Sequence, residues 1–173
     1  MSAHEQEVIF RRWLEVHLGL MLKIVRGCAA PPDQDDLFQD VCLQIWQSIP
    51  AFRGEAKETT WIYRVAFNTA LVWKRGENRR YSKHERFAQS TVVEQAAPGQ
   101  PPTSRDDERV QQLFVAIRQL PKLDASLALM HLDGLSYREM SEVLGITETY
   151  VGVKLNRIRK QLAAMLKGDN HEL

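Results

Sequence analysis

Residues 134–166 combine the residue types and the spacing that a protein needs to hold duplex nucleic acid. Ser136 precedes Glu139 by three positions, and such a pair forms a capping box that satisfies free backbone donors at a helix start. Gly145 provides a tight turn, and Thr147 can cap the helix that follows. The segment is therefore predicted to be a helix-turn-helix.

The second helix of this pair presents polar and cationic side chains opposite an apolar stripe. At about 100° per residue, the stripe consists of Val151, Leu155, Ile158, Leu162 and Met165. The opposite face consists of Thr149, Val153, Asn156 and Lys160, with Gly152 and Arg157 beside it. Short polar groups and cations on one face match what base edges and phosphates require. This favours DNA reading over the alternative, a solvated basic helix in an all-α domain.

A second informative group lies on the helix predicted over residues 33–48. Its core face would consist of Leu37, Phe38, Val41, Cys42, Ile45 and Trp46. Its opposite face would consist of Asp36, Gln39, Asp40, Leu43 and Gln47. A leucine ringed by carboxylates and amides suits docking onto a basic protein surface, and the carboxylates would repel DNA phosphates. The alternative is a solvated acidic helix with one stray surface leucine.

The third predicted helix, over residues 59–75, carries aromatic and basic side chains on one side. That side consists of Tyr63, Arg64, Phe67 and Lys74, and the other of Trp61, Ile62, Val65, Val72 and Trp73. Aromatic groups beside cations suit single-stranded nucleic acid, because unstacked bases need such surfaces. The alternative is that Tyr63 and Phe67 pack against the first helix. Arg75, Arg79 and Arg80 are expected to hold phosphates.

The composition argues against several other classes. The chain has 23 Lys and Arg residues and 22 Asp and Glu residues, so its net charge is nearly zero. The acidic and basic residues are nevertheless concentrated on different helices. Cys28 and Cys42 lack metal-ligand spacing, and Cys42 is expected to be a buried thiol. No nucleotide-binding loop or catalytic constellation is recognisable, so we expect no enzyme, metal or cofactor. Without an apolar run long enough to span a membrane or a signal pattern, the expected location is cytoplasmic.

The elements that must position these residues are all helical. The first helix is predicted over residues 5–26, with Val8, Ile9, Trp13, Leu14, Leu18, Met21 and Val25 in its core face. A later helix begins near Asp106, and its apolar stripe consists of Val110, Leu113, Phe114 and Ile117. Another helix covers residues 123–132. Residues 95–105 are rich in Pro, Gly and small polar residues. The prediction is an all-α fold of two small helical domains, 1–92 and 106–173, joined by a flexible linker over 93–105.

The order of these motifs resembles that of a known family. Residues 33–41, followed by Ile45 and Trp46, and residues 61–75 resemble region 2 of bacterial sigma factors of the sigma-70 family, in the extracytoplasmic-function (ECF) group. Residues 132–162 resemble region 4 of the same group. The resemblance covers nearly the whole chain and has both regions in the expected order.

The resemblance implies a sigma factor that binds core RNA polymerase and directs promoter recognition, DNA melting and transcription initiation. Region 2 would grip the clamp coiled coil of the polymerase through Asp36, Gln39 and Asp40, to which the surface pattern adds Leu43. It would also bind the opened minus-ten element, through Arg53, Lys57, Thr59, Tyr63, Arg64, Phe67, Asn68, Lys74, Arg75, Arg79 and Arg80. Region 4 would read the duplex minus-thirty-five element through Thr149, Val153, Lys154, Asn156, Arg157 and Lys160. An anti-sigma factor is a further candidate partner.

The recognition helix departs from the family at one place. Gly152-Val153-Lys154 stands where the family commonly has a Lys-Ser-Arg run, and Val153 could touch a thymine methyl group instead. The alternative function is an operator-binding transcriptional regulator. That function would explain the helix-turn-helix, but not the acidic face around Leu43 or the basic aromatic helix.

Overall fold

The computed structural model describes residues 2–73 and 105–168, and within these ranges every regular element is helical. The α-helices are α1 (Ala3–Cys28), α2 (Gln34–Ser48), α3 (Glu58–Val72), α4 (Arg105–Gln119), α5 (Lys122–Leu132), α6 (Tyr137–Leu144) and α7 (Glu148–Gly168). Two 3-10 turns, Pro31–Asp33 and Ile49–Ala51, flank α2. The predicted all-α class is confirmed.

The first half of the chain forms a three-helix group in which α1, α2 and α3 all contact one another. A capping box between Ser2 and Glu5 begins α1. The inward faces meet in a core whose most buried members are Trp13, Met21, Ile24, Leu37, Val41, Ile45 and Ile62. The helical spacing of these apolar residues selects the buried face of each helix.

The second half contains the predicted helix-turn-helix, formed by α6 and α7 and supported by α4 and α5. The Ser136 hydroxyl accepts a hydrogen bond from the Glu139 backbone N–H at 3.2 Å, and the Glu139 carboxylate accepts one from the Ser136 N–H at 2.9 Å. Gly145 ends α6 at φ 67°, the left-handed region that favours glycine. The Thr147 hydroxyl accepts from the Tyr150 N–H at 3.2 Å. Each element of the predicted motif is therefore confirmed.

The two halves share one hydrophobic core instead of burying separate ones. Helix α1 packs against α4 and α5, and α3 packs against α6. The cause is visible in α5, where every residue from Asp124 to Met130 is buried. A helix that is apolar on all sides must be covered from more than one direction. The second half alone does not cover α5, and α1 covers the rest.

The core assignment of two valines and the end of one helix are wrong. Val8 and Val110 were expected in the core but are 55% and 47% exposed. Val8 lies off the face of α1 on which Phe10 meets Trp46, and Val110 precedes Phe114, the first buried residue of α4. Helix α3 ends at Val72 instead of Arg75, and Trp73 has an extended backbone with ψ 121°. Residues 93–104 of the predicted linker lie outside the described residues.

Two glycines of α1 provide a matched test of the contact between the halves. A Cβ at Gly27 would lie 2.5 Å from Leu129 Cδ1, whereas a Cβ at Gly19 would have nothing within 4 Å. Gly19→Ala should raise the free energy of unfolding by about 0.5–1 kcal/mol, because alanine is the better helix former. Gly27→Ala should lower it by about 1–3 kcal/mol, because the added methyl overpacks the site. Urea denaturation measures both, and equal stabilisation by the two substitutions would contradict the close packing of α1 on α5.

Candidate nucleic-acid interface

Helix α7 presents the predicted recognition face to the surface. Val151, Leu155 and Ile158 are buried against the other helices of the second half. On the opposite side, the exposed residues include Thr149, Val153, Asn156, Arg157 and Lys160. Val153 is 65% exposed although it is apolar. The helical spacing therefore gave the correct orientation for five of the six residues that were expected to face duplex DNA.

Lys154, the sixth, has a partner inside the protein. Its Nζ lies 2.8 Å from Asp124 Oδ1, and the side chains are only 20% and 5% exposed. The hydrogen bond from Lys154 to Asp124 raises the pKa of Lys154, and the ammonium group also lies 5.7 Å from the Tyr150 ring centroid. The expectation that Lys154 faces the groove is thus not met in this structure, because Asp124, which lies on α5, draws its ammonium away.

Gly152 is explained by a contact that the sequence pattern did not reveal. A Cβ at this position would lie 3.3 Å from Cε2 of Tyr137, which is the first residue of α6. The glycine lets the tyrosine ring rest close to the backbone of the recognition helix. At the position where the family commonly has a lysine, this chain therefore has Gly152, and the ring of Tyr137 lies beside it.

The acidic face of α2 is arranged as expected. Gln39 is exposed, Asp36 and Asp40 are half-buried, and Leu43 is 41% exposed. The core side of the same helix is closed by Leu37, Phe38, Val41 and Ile45. Cys42 is half-buried, and burial raises its pKa to about 12, which keeps the thiol protonated. An apolar side chain with acidic and amide neighbours is therefore available at the surface.

A cluster of three aromatic rings, packed edge-to-face and tilted, holds the loop between α2 and α3. The Phe52 ring lies 5.2 Å from that of Trp13 and 5.6 Å from that of Trp61, measured between centroids. The Trp61 indole N–H donates to the Ser48 hydroxyl at 3.0 Å. Sequence reasoning identified the loop but not this anchor. The loop is thereby fixed at both ends.

Beyond that anchor, the loop residues predicted to border a captured base are accessible. Arg53 and Lys57 are exposed, and Thr59 is half-buried. The chain between them turns at Gly54, whose φ is 74°. Arg53 and Lys57 thus lie near the Phe52 ring, with exposed Glu55 between them, and cations near an aromatic ring suit an unstacked nucleotide.

The aromatic side of α3 is not exposed. Tyr63 and Phe67 are fully buried and stack with centroids 5.6 Å apart and planes 13° apart. The expectation of an open aromatic face is therefore wrong for this conformation, because the second half of the chain covers α3. Arg64 and Asn68 on the same helix are exposed. The predicted residues Lys74, Arg75, Arg79 and Arg80 lie outside the described residues.

Three of the residues predicted to bind opened DNA contact the second half through polar atoms. Lys57 Nζ lies 2.6 Å from Glu139 Oε1, and Arg64 Nη2 donates to the Glu142 carbonyl oxygen at 2.8 Å. The Tyr63 hydroxyl donates to the Asp133 carboxylate. Hydrogen bonds from Lys57 and Ser136 lower the pKa of Glu139 to about 2.

Other features bear on the class of protein. In the ranges 2–73 and 105–168, no group of three or more His, Cys, Asp or Glu side chains is placed to hold a metal ion. Over those same ranges, no helix is both long and apolar enough to cross a membrane. The described surface instead has an acidic face with an exposed leucine on α2, a loop with Arg53 and Lys57 before α3, and exposed polar and cationic residues along α7.

This combination is that of a bacterial transcription initiation factor, and family comparison agrees. Residues 10–80 match the family model for sigma-70 region 2, and residues 111–162 match the model for sigma-70 region 4. The chain belongs to the sigma-70 family, and it is a sigma factor that directs core RNA polymerase to promoters and supports transcription initiation.

Its relatives lie in the ECF group. The chain is 28% identical over 139 residues to an ECF RNA polymerase sigma-E factor of Haemophilus influenzae, a match that covers 75% of this chain and 72% of the relative. The corresponding factor of Escherichia coli K12 is 27% identical over the same shares.

Solved structures share the fold. The sigma factor RpoE, in a complex with the anti-sigma factor NepR from Bartonella quintana, matches with a TM-score of 0.64 and 18% identity over 91% of this chain and 96% of that chain. CnrH, in a complex with the cytosolic domain of CnrY, matches with a TM-score of 0.63 and 20% identity over 94% of this chain and 90% of that chain.

The contrast between Lys154 and Lys160 can be measured. Lys154→Ala should lower the free energy of unfolding by about 3 kcal/mol, because it leaves the buried Asp124 carboxylate without its counter-ion. Lys160→Ala should change stability by less than about 0.5 kcal/mol, because this side chain is exposed. Chemical denaturation of both variants tests the assignment. Comparable stability of the two variants would mean that the Lys154–Asp124 pair does not brace the helix.

Proposed function

We propose that the two halves of this sigma factor divide the promoter between them. Residues 1–92 would bind core polymerase and the minus-ten element, and residues 106–173 would read the minus-thirty-five element. Residues 93–105 would connect the two. The observation that carries the division is the separation of chemistry: the acidic face lies on α2, whereas exposed Asn156, Arg157 and Lys160 lie on α7.

The polymerase-binding surface would be the acidic face of α2, formed by Asp36, Gln39, Asp40 and Leu43. The partial exposure of Leu43 beside polar residues supports this, because an apolar anchor within a polar rim is typical of protein interfaces. The partner surface would be basic, as carboxylates in the rim require. DNA is a poor occupant of the same face because its phosphates would be repelled.

The duplex-reading surface would be Thr149, Val153, Asn156, Arg157 and Lys160 on α7. Asn156 can read a base edge by hydrogen bonding, and Val153 can contact a thymine methyl group. Arg157 and Lys160 would hold phosphates and position the helix. Lys154 would brace the helix through Asp124 instead of reading DNA.

The opened minus-ten strand would follow the loop before α3 and continue onto the basic segment after it. The residues proposed to contact this strand in the described part of the chain are Arg53, Lys57, Thr59, Tyr63, Arg64, Phe67 and Asn68. Four further candidates lie outside the described residues: Lys74, Arg75, Arg79 and Arg80. The rigid Phe52 anchor and the exposed cations Arg53 and Lys57 support the loop as one end of this path. Catalysis would belong to the polymerase, so the chain itself would be no enzyme and would act in the cytoplasm, where polymerase and promoter meet.

An anti-sigma factor is proposed as a further partner. The two solved neighbours are complexes with NepR and with the cytosolic domain of CnrY, and both match more than nine-tenths of this chain. The acidic face around Leu43 is a suitable contact for such a protein, because occupying it would exclude core polymerase.

The docking face can be tested by substitution. Asp40→Arg combined with Leu43→Ala should lower affinity for core polymerase by at least about tenfold, because it reverses a rim charge and removes the apolar anchor. Val16→Ala is the matched control, since Val16 is a more exposed aliphatic residue on a different helix, α1. Affinity is measured by fluorescence anisotropy with purified core enzyme. Equal loss in the control, or none in the double variant, would exclude this face.

Transcription in vitro tests the function as a whole. The protein with core polymerase should initiate from a subset of a randomised promoter library. Asn156→Ala should change the selected bases at one or two minus-thirty-five positions, whereas Lys160→Ala should weaken all sequences alike and flatten the salt dependence. No initiation by folded wild-type protein would overturn the function, and an unchanged selection by Asn156→Ala would overturn only its reading role.

A further inference from the structure

The ring of Tyr137 lies at the margin of the reading face of α7, although the residue itself belongs to α6. A Cβ at Gly152 would lie 3.3 Å from Tyr137 Cε2 and 3.8 Å from Cδ2. Gly152 follows Thr149 by three positions and precedes Asn156 by four, so both residues neighbour it along one side of α7. The ring therefore stands beside two of the residues proposed to face duplex DNA.

The local structure fixes where this ring stands. Tyr137 is the first residue of α6 and directly follows Ser136, whose capping box with Glu139 sets the start of that helix. The ring packs against the backbone of α7 at Gly152, yet Tyr137 is still 41% exposed. A side chain that is held by its neighbours but open at the surface can bind a ligand with little loss of conformational entropy.

The first turns of α7 offer apolar and short polar groups to DNA instead of charge. Within residues 148–156 the one cation is Lys154, and its ammonium group donates to Asp124 at 2.8 Å. Val153, in contrast, is 65% exposed. The N-terminal residues of a recognition helix are the ones that reach base edges. Arg and Lys at such positions favour guanine, whereas apolar groups favour the C5-methyl group of thymine.

We propose that the Tyr137 ring is a specificity-determining contact, and that it binds the methyl group of a thymine at the base pair facing Gly152. The glycine makes this contact possible, because any side chain there would extend between the ring and the bases. A lysine at this position would instead bring a cation to the same base pair. The inference rests on the proposed reading of duplex DNA by α7, and it adds a base-reading residue from outside that helix.

Removing one methyl group from the DNA tests the contact without altering the protein. Promoters that the wild-type holoenzyme selects from a randomised minus-thirty-five library are resynthesised with deoxyuridine in place of each thymidine in turn. At one position the replacement should lower the affinity of the wild-type holoenzyme about fourfold, the effect of one buried methyl group. Tyr137→Ala should be insensitive there, whereas Tyr137→Phe should respond like wild type, because the ring makes the contact.

Val153→Ala is the matched control, since it also removes an exposed apolar side chain from the reading face. It should leave the methyl dependence at the Tyr137 position unchanged. If Tyr137→Ala keeps every methyl dependence of the wild type, the ring reads no thymine and the proposal is wrong. Loss of the dependence in Tyr137→Phe would assign the contact to the hydroxyl group and would equally overturn it.

Gly152→Lys tests the same base pair in the opposite direction. Its Cβ requires only a small shift of the exposed Tyr137 ring, and its cation should move selection at that position from thymine towards guanine. Gly152→Ala adds a methyl group without charge and should not select guanine. Unchanged thymine selection by Gly152→Lys would count against the proposal.

The wild-type holoenzyme separates this inference from the function on which it rests. Failure to initiate from any promoter of the library would overturn the proposed function itself. Initiation from selected promoters that show no dependence on a thymine methyl group would overturn the role of Tyr137 alone.

Discussion

The burial of α5 is the constraint on which the rest of the structure depends. Its residues from Asp124 to Met130 are all buried, so the helix cannot form the surface of either half. Helices α4 and α7 cover part of it, and α1 covers the remainder. Because α5 leads directly into the helix-turn-helix, the position of the recognition motif relative to the first half follows from how α5 is covered.

The same helix also fixes the chemistry of the reading face. Asp124 is buried on α5 and requires a cation, which Lys154 supplies from α7. That pairing removes one positive charge from the surface proposed to meet DNA. At Gly152 a further side chain is absent so that the Tyr137 ring can approach the backbone. The composition of the groove-facing surface is therefore partly a consequence of how α7 is packed onto its supports.

The sequence predicted what depends on local pattern and missed what depends on contacts between distant segments. The capping box at Ser136, the turn at Gly145 and the buried stripe of α7 follow from spacing alone, and the structure bears them out. The burial of Tyr63 does not, because α3 is apolar on both sides and only the second half of the chain decides which side is covered. Likewise, no local signal pairs Asp133 with Lys23, since 110 positions separate them.

The exposed face of α7 has few positive charges, which is understandable if another part of the complex supplies most of the affinity for DNA and this face selects the sequence. Each phosphate contact adds affinity for any sequence, whereas base contacts choose among sequences. The exposed face of α7 has two cations suited to phosphate contacts, Arg157 and Lys160. It has three residues suited to base contacts, Thr149, Val153 and Asn156. Such a helix would bind poorly as an isolated module. With the proposed docking of the acidic α2 face on polymerase, the enzyme would supply the affinity, and a modest energy difference at a few base pairs would then be sufficient to select a promoter.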